Sequence, residues 1–190
     1  FVTIQLLRNE NSNIIQKEPK IFDETKVKEV MNKMPFTPTT DQEKTIDEIV
    51  RDLKSTKVMY RLVQGDVGCG KTFVAAMSAY ASVLSHNQVA LLAPTEILAK
   101  QHLKSFAFLR EYGVRIEVLY SAESAKEKKE ILEKLKNHEI DILIGTHSLL
   151  EKNVSFARLG LVIIDEQQRF GVEQRKALKE KGKTVDFLLM

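Results

Sequence analysis

One eight-residue segment places glycines, a lysine and a threonine at a fixed spacing. Residues 65–72 have the sequence GDVGCGKT, which matches the pattern G-x-x-x-x-G-K-[ST]. Glycines allow the backbone to wrap closely around phosphate oxygens, so that several N–H groups point at them. Lys71 would place a positive charge beside the β- and γ-phosphates, and the hydroxyl of Thr72 would bind Mg²⁺. The pattern therefore predicts a nucleoside triphosphate site whose loop consists of Gly65, Asp66, Val67, Gly68, Cys69, Gly70, Lys71 and Thr72.

Two adjacent acids form a second chemical feature. The apolar residues 159–164, LGLVII, run directly into Asp165 and Glu166. At the end of a neighbouring buried strand, Asp165 would hold Mg²⁺, and Glu166 would orient and deprotonate an attacking water. The alternative is a pair of solvated acids that only ends a strand. With the phosphate loop, the pair favours hydrolysis, because a small-molecule kinase does not need a dedicated base for water.

Six short apolar segments alternate with segments of helical period, and these elements would position the two features. The apolar segments are KVMYRLV, QVALLA, RIEVLY, IDILIG, LGLVIID and VDFLLM. They are almost continuous in Val, Ile and Leu, which is typical of strands buried on both faces of a sheet. The alternation therefore predicts an α/β fold in which a doubly wound parallel sheet carries helices on both faces.

Capping residues indicate where several helices begin. Asp23 is a candidate N-cap, and capping boxes are predicted for Thr40 with Glu43 and for Ser124 with Glu127. The preceding residues 9–20, NENSNIIQKEPK, are polar and include a proline, which indicates a connector.

The composition limits the class of protein. The chain has 190 residues, a net charge of +3 and 43% hydrophobic residues, which suits one domain with a short extension. The single cysteine excludes a disulfide framework; Cys69 fits the loop as a small residue, with a low-pKa thiol as the alternative. No apolar run approaches the roughly 18 residues of a membrane span, so we expect no membrane association and a cytoplasmic location. The absence of a starting Met and the apolar last residues favour a piece of a longer protein.

Four segments together resemble one family. They are QGDVG at 64–68, APTEILA at 93–99, GTH at 145–147 and DEQQRFGV at 165–172. In this order they resemble the RecG family of superfamily 2 DNA helicases over nearly all of residues 35–190. The related transcription-repair coupling factor Mfd shares GDVG and RFG but resembles the other segments less. The resemblance implies a P-loop NTPase lobe of RecA-like fold from an ATP-dependent DNA helicase that acts on branched DNA, such as stalled forks and Holliday junctions.

The resemblance also implies roles in nucleotide binding and catalysis. Gln42 would bind the adenine edge through its amide, and Phe36 would stack on the base or else belong to the core. Gln168 stands where the family usually has His, and it would link the γ-phosphate to the other lobe and to DNA. The implied catalytic residues are Lys71, Asp165, Glu166 and Gln168.

Further residues would line the path of the DNA backbone. They follow two strands, and they are Thr95, Glu96, Lys100, Thr146 and His147. A locally bonded loop histidine is the alternative for His147. His102 is expected to be a packing residue.

The resemblance divides the chain into two parts. Residues 1–34 would be a helical linker from an upstream DNA-binding wedge domain, and residues 35–190 would be the N-terminal RecA-like helicase lobe. A second RecA-like lobe would supply arginines, so we expect this chain alone to hydrolyse ATP slowly. Two other classes of function are a small-molecule kinase, whose Arg-rich lid the sequence lacks, and a nucleotide-dependent switch, which has less need of Glu166.

Overall fold

The strands and helices follow the alternation of apolar and amphipathic segments in the sequence. The computed structural model describes residues 3–6, 16–65, 70–181 and 184–190. The strands are β1 (Thr3–Leu6), β2 (Tyr60–Gln64), β3 (Gln88–Leu92), β4 (Ile116–Leu119), β5 (Ile142–Gly145), β6 (Leu159–Ile164) and β7 (Asp186–Leu189). The α-helices are α1 (Glu24–Asn32), α2 (Thr40–Leu53), α3 (Lys71–Leu84), α4 (Glu96–Phe106), α5 (Ala125–Lys136) and α6 (Val172–Glu180). Short 3₁₀ segments lie at Ala107–Tyr112, His147–Leu150 and Gln167–Arg169.

The strands form one sheet with the order β1-β2-β7-β6-β3-β5-β4. Strands β2 to β7 are parallel to one another, which confirms the parallel sheet that the sequence predicts. Strand β1 pairs antiparallel with β2 at one edge, from Thr3 opposite Gln64 to Leu6 opposite Arg61. The sequence does not predict β1, because its four residues are too few to establish an alternating pattern.

Helices cover both faces of the sheet, which confirms the doubly wound arrangement. One core lies between the sheet and helices α1 to α4, and it contains the fully buried Ile49, Met77 and Phe106. The other core contains Leu135 of α5 and Leu178 of α6. Strands β3 and β5 are buried along their whole length, because both of their faces are covered. None of the helices in the described ranges has the length and hydrophobicity of a membrane span.

Two of the three predicted helix starts are confirmed, and one is displaced by a residue. Asp23 caps α1 by accepting from the backbone N–H of Thr25 at 3.0 Å, and Ser124 begins a capping box with Glu127. In α2 the capping box joins Thr39 and Gln42, so the predicted pairing one residue later is wrong. The reason is that Thr39 has an extended backbone, whereas the next residue is already helical.

The end of the predicted connector is fixed to the sheet by a buried ionic cluster. The Nζ atoms of Lys17 and Lys20 lie 2.8 and 2.5 Å from Oδ2 of Asp186, and all three side chains are buried. Oδ1 of Asp186 accepts from the N–H of Met59 at 2.7 Å. The sequence does not predict this cluster, because lysines in a polar segment ordinarily indicate solvent exposure.

Helix α1, which follows this segment, belongs to the same core as the rest of the molecule. Val27 and Val30 are almost fully buried beside residues of α2 and α3. The domain boundary predicted at residue 34 stays a prediction, but no separate core marks it within the described residues.

Candidate functional site

The loops that carry the predicted functional residues lie at one edge of the sheet. Because β2 to β7 are parallel, their carboxyl ends share that edge, where ligands bind in open α/β sheets. Gly65 and Asp165 directly follow β2 and β6, and the loops after β3 and β5 carry Thr95 and Thr146. The prediction that β6 neighbours β2 is wrong, because β7 pairs with both and separates them by about 10 Å.

The phosphate loop is described at its two ends. Gly70 precedes α3 with a φ of +83°, a left-handed conformation that glycine adopts without strain. A Cβ atom at this position would overlap the amide nitrogen of Gln42, so any other residue here would also displace that side chain. Four predicted residues of the loop lie outside the described part of the chain, and their contacts stay predictions: Asp66, Val67, Gly68 and Cys69.

Lys71, Thr72 and Asp165 line one pocket of about 170 Å³. The first two begin α3, and Asp165 follows β6, so the fold brings together residues that are far apart in the sequence. An ammonium group suits phosphate oxygens, and hydroxyl and carboxylate oxygens suit a hard divalent cation. The rest of the lining comes from α4 and from the end of β7: Leu98, Gln101, His102, Ser105 and Met190.

The two adjacent acids have different surroundings. Asp165 is partly buried, its N–H donates to the carbonyl of Leu92 at 2.9 Å, and the residue lines the pocket. Glu166 has a φ of +51°, in the left-handed region that only a few non-glycine residues adopt. Its Oε2 atom lies 2.9 Å from Nε of Arg169, at the surface. The role of Glu166 as the base for water stays a prediction.

His102 packs as expected, and it also has a polar partner that was not expected. Its Nε2 atom lies 2.7 Å from Oδ2 of Asp165, and its ring meets Phe106 edge-on at 6.4 Å. On α4 it belongs to a buried stripe with Ala99 and Phe106. A histidine within such an apolar stripe needs a hydrogen-bond partner, and that requirement is the signal in the sequence that points to a polar contact here.

The two residues predicted to bind adenine lie near the start of α3. Gln42 is buried, and its Oε1 atom accepts from the N–H of Thr39 at 2.9 Å. Phe36 is 46% exposed and meets the ring of Phe73 edge-on at 5.1 Å. The amide of Gln42 therefore caps its own helix in this structure, and both adenine contacts stay predictions.

The start of α4 carries three of the residues predicted to line the DNA. Thr95 caps the helix by accepting from the N–H of Leu98 at 3.2 Å. The Oε1 atom of Glu96 accepts from Oγ and N of Ser121 at 2.6 and 3.1 Å, and these bonds hold the pKa of Glu96 below its usual range. Lys100 is exposed, with Nζ 5.4 Å from the ring centre of Tyr120. Glu96 thus joins α4 to the loop after β4, and the DNA contacts stay predictions.

The loop after β5 and the 3₁₀ segment after β6 carry the remaining predicted residues. Thr146 is half-buried and His147 is exposed. The ring of His147 lies 5.3 Å from that of Phe170, and its Nδ1 atom is 3.2 Å from Nε2 of Gln174, which agrees with the locally bonded alternative. Gln168 is exposed in the 3₁₀ segment. Its coupling role and the DNA contacts of the other two stay predictions.

The sheet order, the phosphate loop after β2 and the acids after β6 define a P-loop NTPase lobe of the RecA-like type. Residues 39–189 match the model of the family described as DEAD/DEAH box helicase. The chain belongs to the DEAD/DEAH box helicase family.

Within this family, the chain is similar to bacterial proteins named ATP-dependent DNA helicase RecG. The relative from Streptococcus pneumoniae is 45% identical over 189 residues, which are 98% of this chain and 28% of that protein. The relatives from Aquifex aeolicus and Bacillus subtilis are each 48% identical over 170 residues, which are 88% and 89% of this chain and 22% and 25% of those proteins. The chain therefore spans about a quarter of the length of these curated relatives.

Solved structures show the same similarity. A structure of RecG bound to a three-way DNA junction has a TM-score of 0.82 and 39% identity, over 92% of this chain and 24% of that one. The UvsW helicase from bacteriophage T4 shares the fold, with a TM-score of 0.65 and 15% identity over 90% of this chain and 61% of that one. These findings confirm the resemblance to RecG and the RecA-like fold.

Proposed function

We propose that this chain is the ATP-binding first motor lobe of a RecG-type DNA helicase that acts on branched DNA. The observation that supports this most directly is the pocket that Lys71, Thr72 and Asp165 line at the carboxyl edge of the sheet. The relatives named RecG, one of them solved on a three-way DNA junction, support the choice of substrate. We call the longer protein that would contain this chain the parent helicase.

The proposed ligand of the pocket is ATP with Mg²⁺. Lys71 would bind the β- and γ-phosphates, while Thr72 and Asp165 would hold the cation. When bound, Mg²⁺ supplies positive charge that offsets the charge of the phosphates. Gln42 and Phe36 would hold the base, on the side of α3 where α2 approaches Gly70. Glu166 would leave Arg169 and accept a proton from the attacking water, a change that costs little because surface ion pairs contribute roughly 0–1 kcal/mol.

The DNA backbone would run along the same edge of the sheet. The hydroxyls of Thr95 and Thr146, the ammonium of Lys100 and the ring of His147 are suitable partners for phosphate oxygens. Such contacts hold DNA without reading its sequence or its branches. We therefore assign recognition of the junction to an upstream wedge domain, and completion of the ATP site to a second RecA-like lobe. The cytoplasmic location predicted from the sequence is part of this proposal.

Two variants of the parent helicase test the two ligands separately. Lys71→Ala should abolish ATP hydrolysis and weaken binding of a fluorescent ATP analogue by at least about tenfold, because hydrogen bonds to charged groups contribute about 1.5–3 kcal/mol. Lys100→Ala should weaken binding to a three-way junction. The plot of log affinity against log salt concentration should become less steep by about one unit, because about one counterion fewer is released. Lys136→Ala is the matched control, since this exposed lysine ends α5 far from the loops of the site. Unchanged ATP affinity in Lys71→Ala would refute the nucleotide site.

A further inference from the structure

His102 of α4 forms a hydrogen bond with a predicted metal ligand, Asp165. Its Nε2 atom lies 2.7 Å from Oδ2 of Asp165, a normal length for a strong hydrogen bond. The side chains of His102 and Asp165 are 8% and 18% exposed, so water competes little with their contact. A neutral imidazole with its proton on Nε2 would donate to the carboxylate.

The ring of His102 is held in place by its surroundings. Phe106, one turn later on the same helix, is fully buried and meets the imidazole edge-on with centroids 6.4 Å apart. Ala99, on the preceding turn, is also fully buried against the sheet. A ring fixed in this way fixes the carboxylate oxygen to which it is bonded, and the other oxygen of Asp165 then faces a defined direction.

The same helix reaches the predicted path of the DNA. Thr95 caps α4 and Lys100 projects from it, while Glu96 joins its first turn to Ser121 in the loop after β4. From Thr95 to His102 the helix rises about 10 Å, at 1.5 Å per residue. An α-helix transmits displacement of one end to the other as a rigid element, and this helix has no proline or glycine to bend it.

We propose that His102 is a positioning residue that orients the carboxylate of Asp165 toward the cation of the nucleotide, and that α4 thereby couples DNA contacts at its first turn to cation binding. This inference rests on the proposed function, since it assumes that Asp165 holds the cation and that Thr95 and Lys100 meet DNA. His102 lines the same pocket and would act on the cation through Asp165. Its effect passes through one hydrogen bond, as is usual for groups that hold the ligands of a metal.

The binding of Mn²⁺, a paramagnetic substitute for Mg²⁺, tests the first half of the inference. We would measure by electron paramagnetic resonance the affinity of Mn²⁺ for the parent helicase with a non-hydrolysable ATP analogue. His102→Ala should lower this affinity by about 10- to 100-fold, the usual effect of removing a partner of a metal ligand. His102→Gln, whose longer amide still reaches the carboxylate, should recover most of the affinity, whereas His102→Asn should not.

The stimulation of ATP hydrolysis by a three-way junction tests the second half. His102→Ala and His102→Asn should lower the ratio of hydrolysis rates with and without DNA, while their affinity for the junction stays within about twofold of the original. Lys104→Ala is the matched control, because it changes an exposed residue of the same helix that does not line the pocket.

The possible results separate the inference from the proposed function. If the unmodified protein binds Mn²⁺ together with the ATP analogue, and junction DNA stimulates its ATP hydrolysis, the proposed function stands. If His102→Asn then folds and keeps both the Mn²⁺ affinity and the DNA response, the inference is overturned. If only His102→Gln folds, a loss of Mn²⁺ affinity in that variant larger than about tenfold overturns it as well, because the retained amide should support Asp165. If the unmodified protein shows neither property, the proposed function itself fails.

Discussion

At the scale of residues, the backbone directs the side chains of two adjacent acids to different surroundings. Asp165 lines the pocket and contacts His102, whereas Glu166 adopts a left-handed φ of +51° and reaches Arg169 at the surface. A non-glycine residue in this conformation costs free energy, and such residues are concentrated at functional sites. The arrangement is consistent with different tasks, one acid for a cation and one for water.

A substitution at Glu166 tests the second task. In the parent helicase, Glu166→Gln should retain binding of ATP but lower its turnover by about 10²- to 10⁴-fold, because the amide cannot accept the proton of water. Turnover is measured by phosphate release at saturating ATP and junction DNA. Arg169→Ala is the control: it should leave turnover nearly unchanged, since the exposed pair that it breaks is weak. Full turnover in Glu166→Gln would remove this residue from the mechanism.

At the scale of elements, the contact between α2 and the phosphate loop depends on one glycine. Gly70 combines a left-handed backbone with an approach to Gln42 that leaves no room for a Cβ atom. Gln42 in turn completes the capping box of α2. The start of α3 and the start of α2 are therefore fixed to each other.

Two alanine substitutions separate backbone strain from this close contact. Gly113 has a φ of +82°, and a Cβ atom there would meet nothing within 4 Å in the described structure. Gly113→Ala should therefore cost only about 1–2 kcal/mol for the left-handed conformation. Gly70→Ala should cost more, because Gln42 must also move. Urea unfolding of the chain measures both values, and an equal loss of stability would contradict the contact.

The segment before α1 provides a second test at this scale. The buried cluster of Lys17, Lys20 and Asp186 holds two positive charges against one negative charge. Burial lowers the pKa of Lys20 from its ordinary value of 10.5, although Asp186 opposes the change. The unfolded chain then binds the proton more tightly than the folded chain. The folding stability gained when Lys20 loses its proton is therefore complete above pH 10.5, the ordinary pKa. It is lost as the pH falls through the pKa of Lys20 in the folded chain.

Substitutions in this cluster should therefore have unequal effects. Lys20→Met leaves one balanced ion pair and should change the free energy of unfolding by no more than about 1 kcal/mol near neutral pH. As the pH rises toward 10.5, the original chain should gain stability relative to this variant. Asp186→Asn leaves two buried ammonium groups without a counter-charge and should cost about 3–5 kcal/mol. Denaturant unfolding at several pH values measures each effect; a pH-independent difference for Lys20→Met would contradict the assigned pKa shift.

At the scale of the whole molecule, the parallel sheet brings every predicted loop to a single edge. That edge supplies a lysine, a hydroxyl and carboxylates, but the net charge of +3 gives the chain no strong general attraction for DNA. Catalysis by P-loop ATPases usually needs an arginine that reaches the phosphates from another domain or another protein. In our proposal this arginine belongs to the second lobe.

The isolated chain should accordingly bind nucleotide weakly and hydrolyse it slowly. We expect its turnover to be at least about 10³-fold below that of the parent helicase, the usual effect of a missing arginine. Junction DNA should not raise its rate. Phosphate release by the purified chain, compared with its Lys71→Ala variant as the blank, measures this activity, and rapid DNA-stimulated hydrolysis would contradict the two-lobe proposal.

The fold was largely predictable from the sequence, because its signals are local. Runs of Val, Ile and Leu mark β2 to β7, and the spacing around Lys71 and the acids at 165 and 166 indicates the chemistry that those residues support. These patterns depend on neighbouring residues and on the periods of strands and helices, which a single chain displays directly. The family resemblance followed from the same segments, and the comparisons confirm it.

The features that the sequence does not predict join residues that are distant from one another in the chain. The insertion of β7 between β2 and β6, the bond of His102 to Asp165 and the burial of Lys17 and Lys20 on Asp186 each join segments far apart in the chain. No local pattern encodes such pairings, because they depend on which strands and helices meet after the chain has folded. The sequence therefore predicts the strands, the helices and the types of residue at the site. The packing of the sheet and α4 determines which side chains hold those residues in position.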